Sequence, residues 1–140
     1  MKAAGIIFTN GKQILLLKKP NTGKYPGIWC IPGGKAENNE TPLENALREA
    51  KEECGYNQGE KFGEFHIDNF TTFLFAINQI FQPKISQEHT QFKWFDINKL
   101  PQKLHPKFLE NWHKYNKAIL EKFSKNKLSF KEWIIDTVRA

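Results

Sequence analysis

Residues Gly34 to Tyr56, GKAENNETPLENALREAKEECGY, carry six acidic side chains (Glu37, Glu40, Glu44, Glu49, Glu52, Glu53) and three basic ones (Lys35, Arg48, Lys51). The stretch sums to −3, so the rest of a chain of net charge +6 sums to +9. Its local signals specify a helix. Thr41, Pro42 and Glu44 form a capping box with proline at the first helical position. Gly55 after Cys54 supplies the stop, because glycine readily takes the left-handed conformation that closes helices. At about 100° per residue, Leu43, Ala46, Leu47, Ala50 and Cys54 share one face. Glu49, Glu52 and Glu53 gather on the opposite face. Like charges at this spacing each cost roughly 0.2–0.5 kcal/mol on an isolated helix. Such a face calls for a compensating cation, and hard divalent ions take oxygen ligands.

The acids do not stand alone. Pro32-Gly33-Gly34 precedes them, and the residues fit G-x5-E-x7-R-E-U-x-E-E-x-G-U, where U is a bulky apolar residue. This pattern resembles the box of the Nudix hydrolases. Gly34, Glu40, Arg48, Glu49, Glu52, Glu53 and Gly55 fill every charged and glycine position. Ala50 is small for its apolar slot, and Tyr56 stands where the family has an aliphatic residue. The resemblance covers roughly residues 3 to 123.

The resemblance implies an α/β fold, the α/β/α sandwich with a mixed (α+β) sheet. It also implies metal-dependent hydrolysis of a phosphoanhydride, with Mg²⁺ or Mn²⁺ held by Glu49, Glu52, Glu53 and the carbonyl of Gly34. Glu40 is a weaker ligand candidate that supports the loop. Arg48 is an orienting partner for a carboxylate, since a guanidinium fork suits bidentate pairing. The general base is Glu49, Glu52 or Glu88, the last lying in a segment that resembles the family's second acidic loop. Lys18, Lys24 and Lys35 are near enough in sequence to meet phosphates. Trp29, Phe73, Phe75 and Trp94 offer flat surfaces for a base, although strand aromatics usually pack inward.

Taken whole, the chain's 140 residues, 39% hydrophobic and 14% aromatic, make one folded domain, 1–140, with a helical extension from about residue 124. The first apolar run is too short for a signal peptide, and no stretch approaches a membrane span. Cys30 and Cys54 read as buried free thiols of a cytoplasmic protein. The cations are nearly all lysine and suit an anionic small molecule, a nucleotide. They are scattered, with no nucleic-acid-binding motif beside them, and the chain carries no signal for oligomeric state.

In order, Ala3–Thr9 and Gln13–Lys18 predict a hairpin turned at Asn10-Gly11. Lys19–Gly27 is a loop at the mouth of a site. Trp29–Ile31 is a short strand entering a sharp glycine turn. Lys61–Asp68 is a strand out of step around Gly63. Phe70–Phe81 is a longer strand with Phe73, Phe75 and Ile77 on one face and Thr72, Leu74 and Ala76 on the other. Gln91–Ile97 is a further strand. A helix from Pro106 carries Phe108, Leu109, Trp112, Tyr115, Ile119 and Phe123 at helical spacing, and Leu128–Val138 is a further short helix.

Two hints about substrate disagree. PGGK after Trp29 resembles members that act on nucleoside triphosphates, whereas EHTQFKW resembles those that act on dinucleoside polyphosphates. The leading expectation is a nucleoside triphosphate or modified nucleotide. The alternatives are a dinucleoside polyphosphate or nucleotide sugar, and a non-catalytic nucleotide-sensing or nucleic-acid-binding module. That last class should have lost metal ligands, which are intact here.

Overall fold

The computed structural model describes residues 2–139, with side chains described up to Ser124. Seven strands form one mixed sheet: β1 (Ala3–Thr9), β2 (Gln13–Lys18), β3 (Trp29–Cys30), β4 (Gly33–Lys35), β5 (Glu60–Ile67), β6 (Phe70–Ala76) and β7 (Gln91–Asp96). Two helices, α1 (Pro42–Cys54) and α2 (Pro106–Arg139), complete the chain. The main strand order is β3-β2-β1-β6-β5, with β7 also on β2 and β4 also on β1. No helix among the described residues is long and apolar enough to cross a membrane.

β1 is central because both of its faces are apolar. Ala4, Ile6 and Phe8 point to one side with Leu15 and Leu17 of β2 and with Phe73 and Phe75, and α1 covers them with Ala46, Ala50 and Cys54. Ile7, Ile14, Leu16 and Leu74 point to the other, where Phe108, Tyr115 and Ile119 of α2 close over them. The period-2 alternation of the strands thus becomes two cores, one per helix, and the layers are α/β/α. Each fully buried large apolar side chain contributes about 1.5–3 kcal/mol.

One edge of β1 is shared. Its C-terminal end meets β2 antiparallel at Thr9–Ile14, while its N-terminal end meets β4 antiparallel from Ala3–Lys35 to Gly5–Gly33. β6 runs parallel along its whole other edge. The hairpin turn lies at Asn10-Gly11 as expected; Asn10 Oδ1 accepts from the amides of Lys12 and Gln13, and Gly11 sits at φ 93°. The misfit around Gly63 is a register shift between Lys61 and Gly63 against β6.

Four expectations change. Gly33 and Gly34 are strand residues, not a sharp turn. A Cβ at Gly33 would lie 2.6 Å from the Ala4 carbonyl oxygen, so glycine permits close strand approach there. β6 ends at Ala76, although the Ile77 amide still donates to the Thr9 carbonyl. Leu109 is exposed because it lies about 100° around α2 from Phe108, outside the apolar stripe. Finally, the tail is no separate helix: α2 continues unbroken to Arg139, and no proline or glycine interrupts residues 107–139.

Candidate active site

α1 begins with the full capping box. The Glu44 amide donates to Thr41 Oγ1 at 3.1 Å, and the Thr41 amide donates to Glu44 Oε1 at 2.9 Å. Two turns on, Arg48 gathers the acids. Its Nε and Nη2 donate to the two oxygens of Glu40 at 2.8 and 3.0 Å. Its Nη1 donates to Glu49 Oε1 and Glu52 Oε2, both at 3.1 Å. Nη2 also donates to the Lys35 carbonyl at 3.0 Å, tying the helix to β4. Hydrogen bonds from Arg48, then from the Glu37 backbone, hold the Glu40 carboxyl below its usual range. The same contacts, with Glu40 first, raise the Arg48 pKa, so the guanidinium is a permanent cation.

Glu53 lies deeper. Only 4% exposed, it accepts from the Gly33 amide at 2.6 Å through Oε1. Burial pushes its carboxyl up to about 9; the Gly33 hydrogen bond opposes this, and the nearby Glu49 and Glu88 add to it. Arg48 pairs with Glu37, Glu40, Glu49 and Glu52 but, among the described residues, not with Glu53. Glu49 is also shifted up, first by burial, with Arg48 pulling it back. The acid face is therefore graded: Glu52 is half exposed, Glu49 is mostly covered, and Glu53 is enclosed.

The loop between β6 and β7 delivers two more groups. The last carbonyls of α1 need partners outside the helix. The Ser86 amide donates to the Glu53 carbonyl and the Lys84 amide to the Cys54 carbonyl, while the Thr90 amide donates to Lys18 on β2. Anchored at both ends, the loop places Glu88 and His89 beside Glu53. Glu53, Glu88 and His89 each offer one ligand atom, all within 4.8 Å of one another. His89 is buried, its pKa is pushed down first by desolvation, and among the described residues its Nδ1 has no hydrogen-bond partner.

Behind β4 a cleft of about 430 Å³ opens between the sheet and α2. Gly33, Gly34 and Lys19 line its near wall, and Lys107, Asn111 and Tyr115 of α2 line its far wall. β4 thus has the buried carboxylate of Glu53 on its α1 side and an open cleft on its α2 side. Asn111 Nδ2 donates to the Lys107 carbonyl at 2.8 Å, leaving its Oδ1 as an acceptor.

The structure sorts the sequence candidates unevenly. Glu49, Glu52, Glu53 and Glu88 converge at the α1–β4 junction, and Gly34 packs directly on Glu49, with an added Cβ only 2.6 Å from its carboxyl carbon. Lys35 contributes its backbone carbonyl. Lys18 and Trp29 sit together on β2 and β3, with Lys18 Nζ 6.0 Å from the indole and Trp29 packed edge-on against Phe95 at 4.9 Å. Lys24 lies in the 19–27 loop, 5.4 Å from the Tyr25 ring. Phe73 and Phe75 are corrected as stacking surfaces: at 1% and 4% exposure they belong to the core under α1 and have no free face. Trp94 packs against Phe81 and gives its indole N–H to that residue's carbonyl.

The sequence offered His89 only as a phosphate contact beside Glu88, and it did not single out Lys107, Asn111 and Tyr115 as functional residues. His89 stands 36 positions from Glu53, and only the loop's anchorage brings them together. Asn111 did carry a signal: a polar residue at i+3 from Phe108 and i−4 from Tyr115, inside the apolar stripe of α2.

Known proteins resemble this chain in sequence and in fold. An 8-oxo-dGTP diphosphatase of Proteus vulgaris is 42% identical over 53 residues, 38% of this chain and 47% of that protein. An ADP-ribose pyrophosphatase of Methanocaldococcus jannaschii is 29% identical over 108 residues, 69% of this chain and 62% of that protein. The chain thus spans roughly half to two thirds of the length of these curated relatives. The crystal structure of RenU, a Nudix hydrolase from M. smegmatis, superposes with a TM-score of 0.67 at 21% identity over 84% of each chain, a likeness of fold. A family model described as the NUDIX domain matches residues 1–123, which hold the whole sheet, α1 and the N-terminal part of α2, and the chain therefore belongs to the NUDIX family.

Proposed function

We propose that this chain is a divalent-metal-dependent pyrophosphohydrolase acting on a nucleoside triphosphate or a modified nucleotide, a nucleoside diphosphate linked to X. The observation that carries the reading is the junction of α1 and β4. There a buried carboxylate with no Lys or Arg partner among the described residues lies one strand away from a cleft of nucleotide dimensions.

The residues fit a divalent cation. Glu53 is enclosed near two other carboxylates, and burial first, then those neighbours, raise its pKa, so a cation beside it would be favoured. An orphaned, buried imidazole nitrogen faces the same point. Glu53 and Glu88 would hold the ion, with Glu49, Glu52 and the Gly34 carbonyl at its border. The chemistry that Mg²⁺ or Mn²⁺ supplies in such a site is neutralisation of phosphate oxygens and activation of water for attack at phosphorus.

The protein's own groups do the positioning. Arg48 is fixed by Glu40, and in turn it fixes Glu49 and Glu52, so the acids keep their geometry when a charged substrate enters. Glu49, Glu52 and Glu88 remain the three candidates for accepting the proton of the attacking water. The cleft beyond β4 takes the sugar and base; Lys19 on its wall supplies positive charge, Lys107 is paired with Asp68 at 2.9 Å, and Asn111 offers an acceptor. Two buried free cysteines suit a reducing, cytoplasmic setting.

The test is turnover of a panel of nucleoside triphosphates, modified nucleotides, dinucleoside polyphosphates and nucleotide sugars, with the products identified. Release of pyrophosphate or a nucleoside monophosphate that depends on Mg²⁺ or Mn²⁺ and stops with EDTA is expected. Full turnover in excess EDTA removes the metal mechanism. Turnover of dinucleoside polyphosphates or nucleotide sugars alone selects that alternative. Nucleotide binding without turnover selects the sensing module.

A further inference from the structure

His89 is used by neither the box nor the cleft. It is 7% exposed, and its Nδ1 lies 3.8 Å from Glu53 Oε2. That separation is too long for a hydrogen bond. It does match two donors sharing one cation, which at about 2.0–2.2 Å from the ion lie about 3–4 Å apart. An unpaired buried polar atom carries an uncompensated desolvation cost, which a bound cation would relieve.

The opposite ring nitrogen indicates which tautomer the site favours. His89 Nε2 lies 3.7 Å from Cys30 Sγ. The Cys30 thiol directs its own hydrogen to the Leu17 carbonyl at 3.5 Å, which leaves the sulfur as an acceptor. A hydrogen on Nε2 facing the sulfur leaves Nδ1 with a free lone pair facing Glu53 and Glu88. Metal-ligating histidines share this arrangement, in which the second nitrogen donates to an outer partner and fixes the ring.

We propose that His89 Nδ1 is a nitrogen ligand completing the cation site begun by Glu53 and Glu88, and that it biases this site toward Mn²⁺ over Mg²⁺. The inference rests on the metal-dependent reading above and deepens it. Mg²⁺ prefers an all-oxygen shell, whereas imidazole suits first-row transition ions. Glu53 and Glu88 alone would form an oxygen site with little preference. Cys30 acts through His89 as a positioning residue, holding the ring from behind.

The experiment is pulsed EPR on the full chain loaded with one equivalent of Mn²⁺, prepared unlabelled and with ¹⁵N-histidine. The unlabelled protein should show ¹⁴N modulation that the labelled protein replaces with a ¹⁵N pattern. In His89→Gln the coupling should vanish, and the ratio of Mn²⁺ to Mg²⁺ affinity should fall about tenfold or more. The labelled unmodified protein gives an answer whether or not the variant folds. Tight Mn²⁺ binding with no histidine coupling overturns the assignment of His89 and leaves the carboxylate site standing. Failure to bind Mn²⁺ at millimolar concentration overturns both.

Discussion

Glu53→Gln should make the metal-free protein more stable at neutral pH while removing its activity. The carboxamide keeps the oxygen that accepts from the Gly33 amide at 2.6 Å, so the packing is preserved. What changes is the proton. In the folded, metal-free protein the Glu53 carboxyl titrates near 9, against an ordinary value of 4.5. Between those values the folded chain holds a proton that the unfolded chain has released. Stability therefore falls as pH rises through this window, by about 1.4 kcal/mol per unit at full slope. From pH 5 to pH 8 that is about 4 kcal/mol, a large part of a domain's usual ~5–15 kcal/mol. The assay is urea unfolding in EDTA at several pH values for both proteins. Their difference isolates Glu53 from other titrating groups. It should grow with pH in favour of the variant, and saturating Mn²⁺ should abolish or reverse it. Parallel pH profiles for the two proteins would refute the enclosed, protonated carboxyl.

Gly33→Ala should destabilise the fold by about 1–3 kcal/mol, because its Cβ would meet the Ala4 carbonyl oxygen and the Gly5 Cα, both backbone atoms of the central strand; a melting curve checks this. Arg48→Lys should lower kcat on the order of 100-fold with little change in melting temperature, since an ammonium cannot hold Glu40 bidentately while fixing Glu49 and Glu52; an unaltered kcat removes its positioning role. Glu88→Gln should slow turnover less than Glu53→Gln does, because Glu88 is exposed whereas Glu53 is enclosed, and an unchanged rate would remove Glu88 from the cation site.

Much of the fold could be read from the sequence because its signals are local. The capping box and Gly55 set the ends of α1, Asn10-Gly11 set the first turn, and alternation along β6 assigned Phe73 and Leu74 to opposite cores. The reading of Phe73 and Phe75 as stacking surfaces failed for a related reason. A strand buried on both faces has no free aromatic, and the second layer that buries it is a long-range property. The continuity of α2 is likewise undecided by spacing alone.

The glycines show where local reasoning stops. Pro32-Gly33-Gly34 suggests a turn, yet its glycines pair with β1 through Ala4 and Gly5. Their missing side chains serve two contacts that no window of sequence contains. At Gly33 the backbone approaches β1 so closely that its amide reaches Glu53 on α1, and at Gly34 the empty Cβ position receives the Glu49 carboxylate. The helix can therefore pack its acid face against β4 instead of presenting it to water. That packing raises the Glu53 pKa, and it lets the 82–90 loop cap α1 with His89 buried beside Glu53 and Glu88 exposed next to it. The box reads as a helix with charges, but its chemistry depends on a strand thin enough to have carboxylates on one side and a cleft on the other.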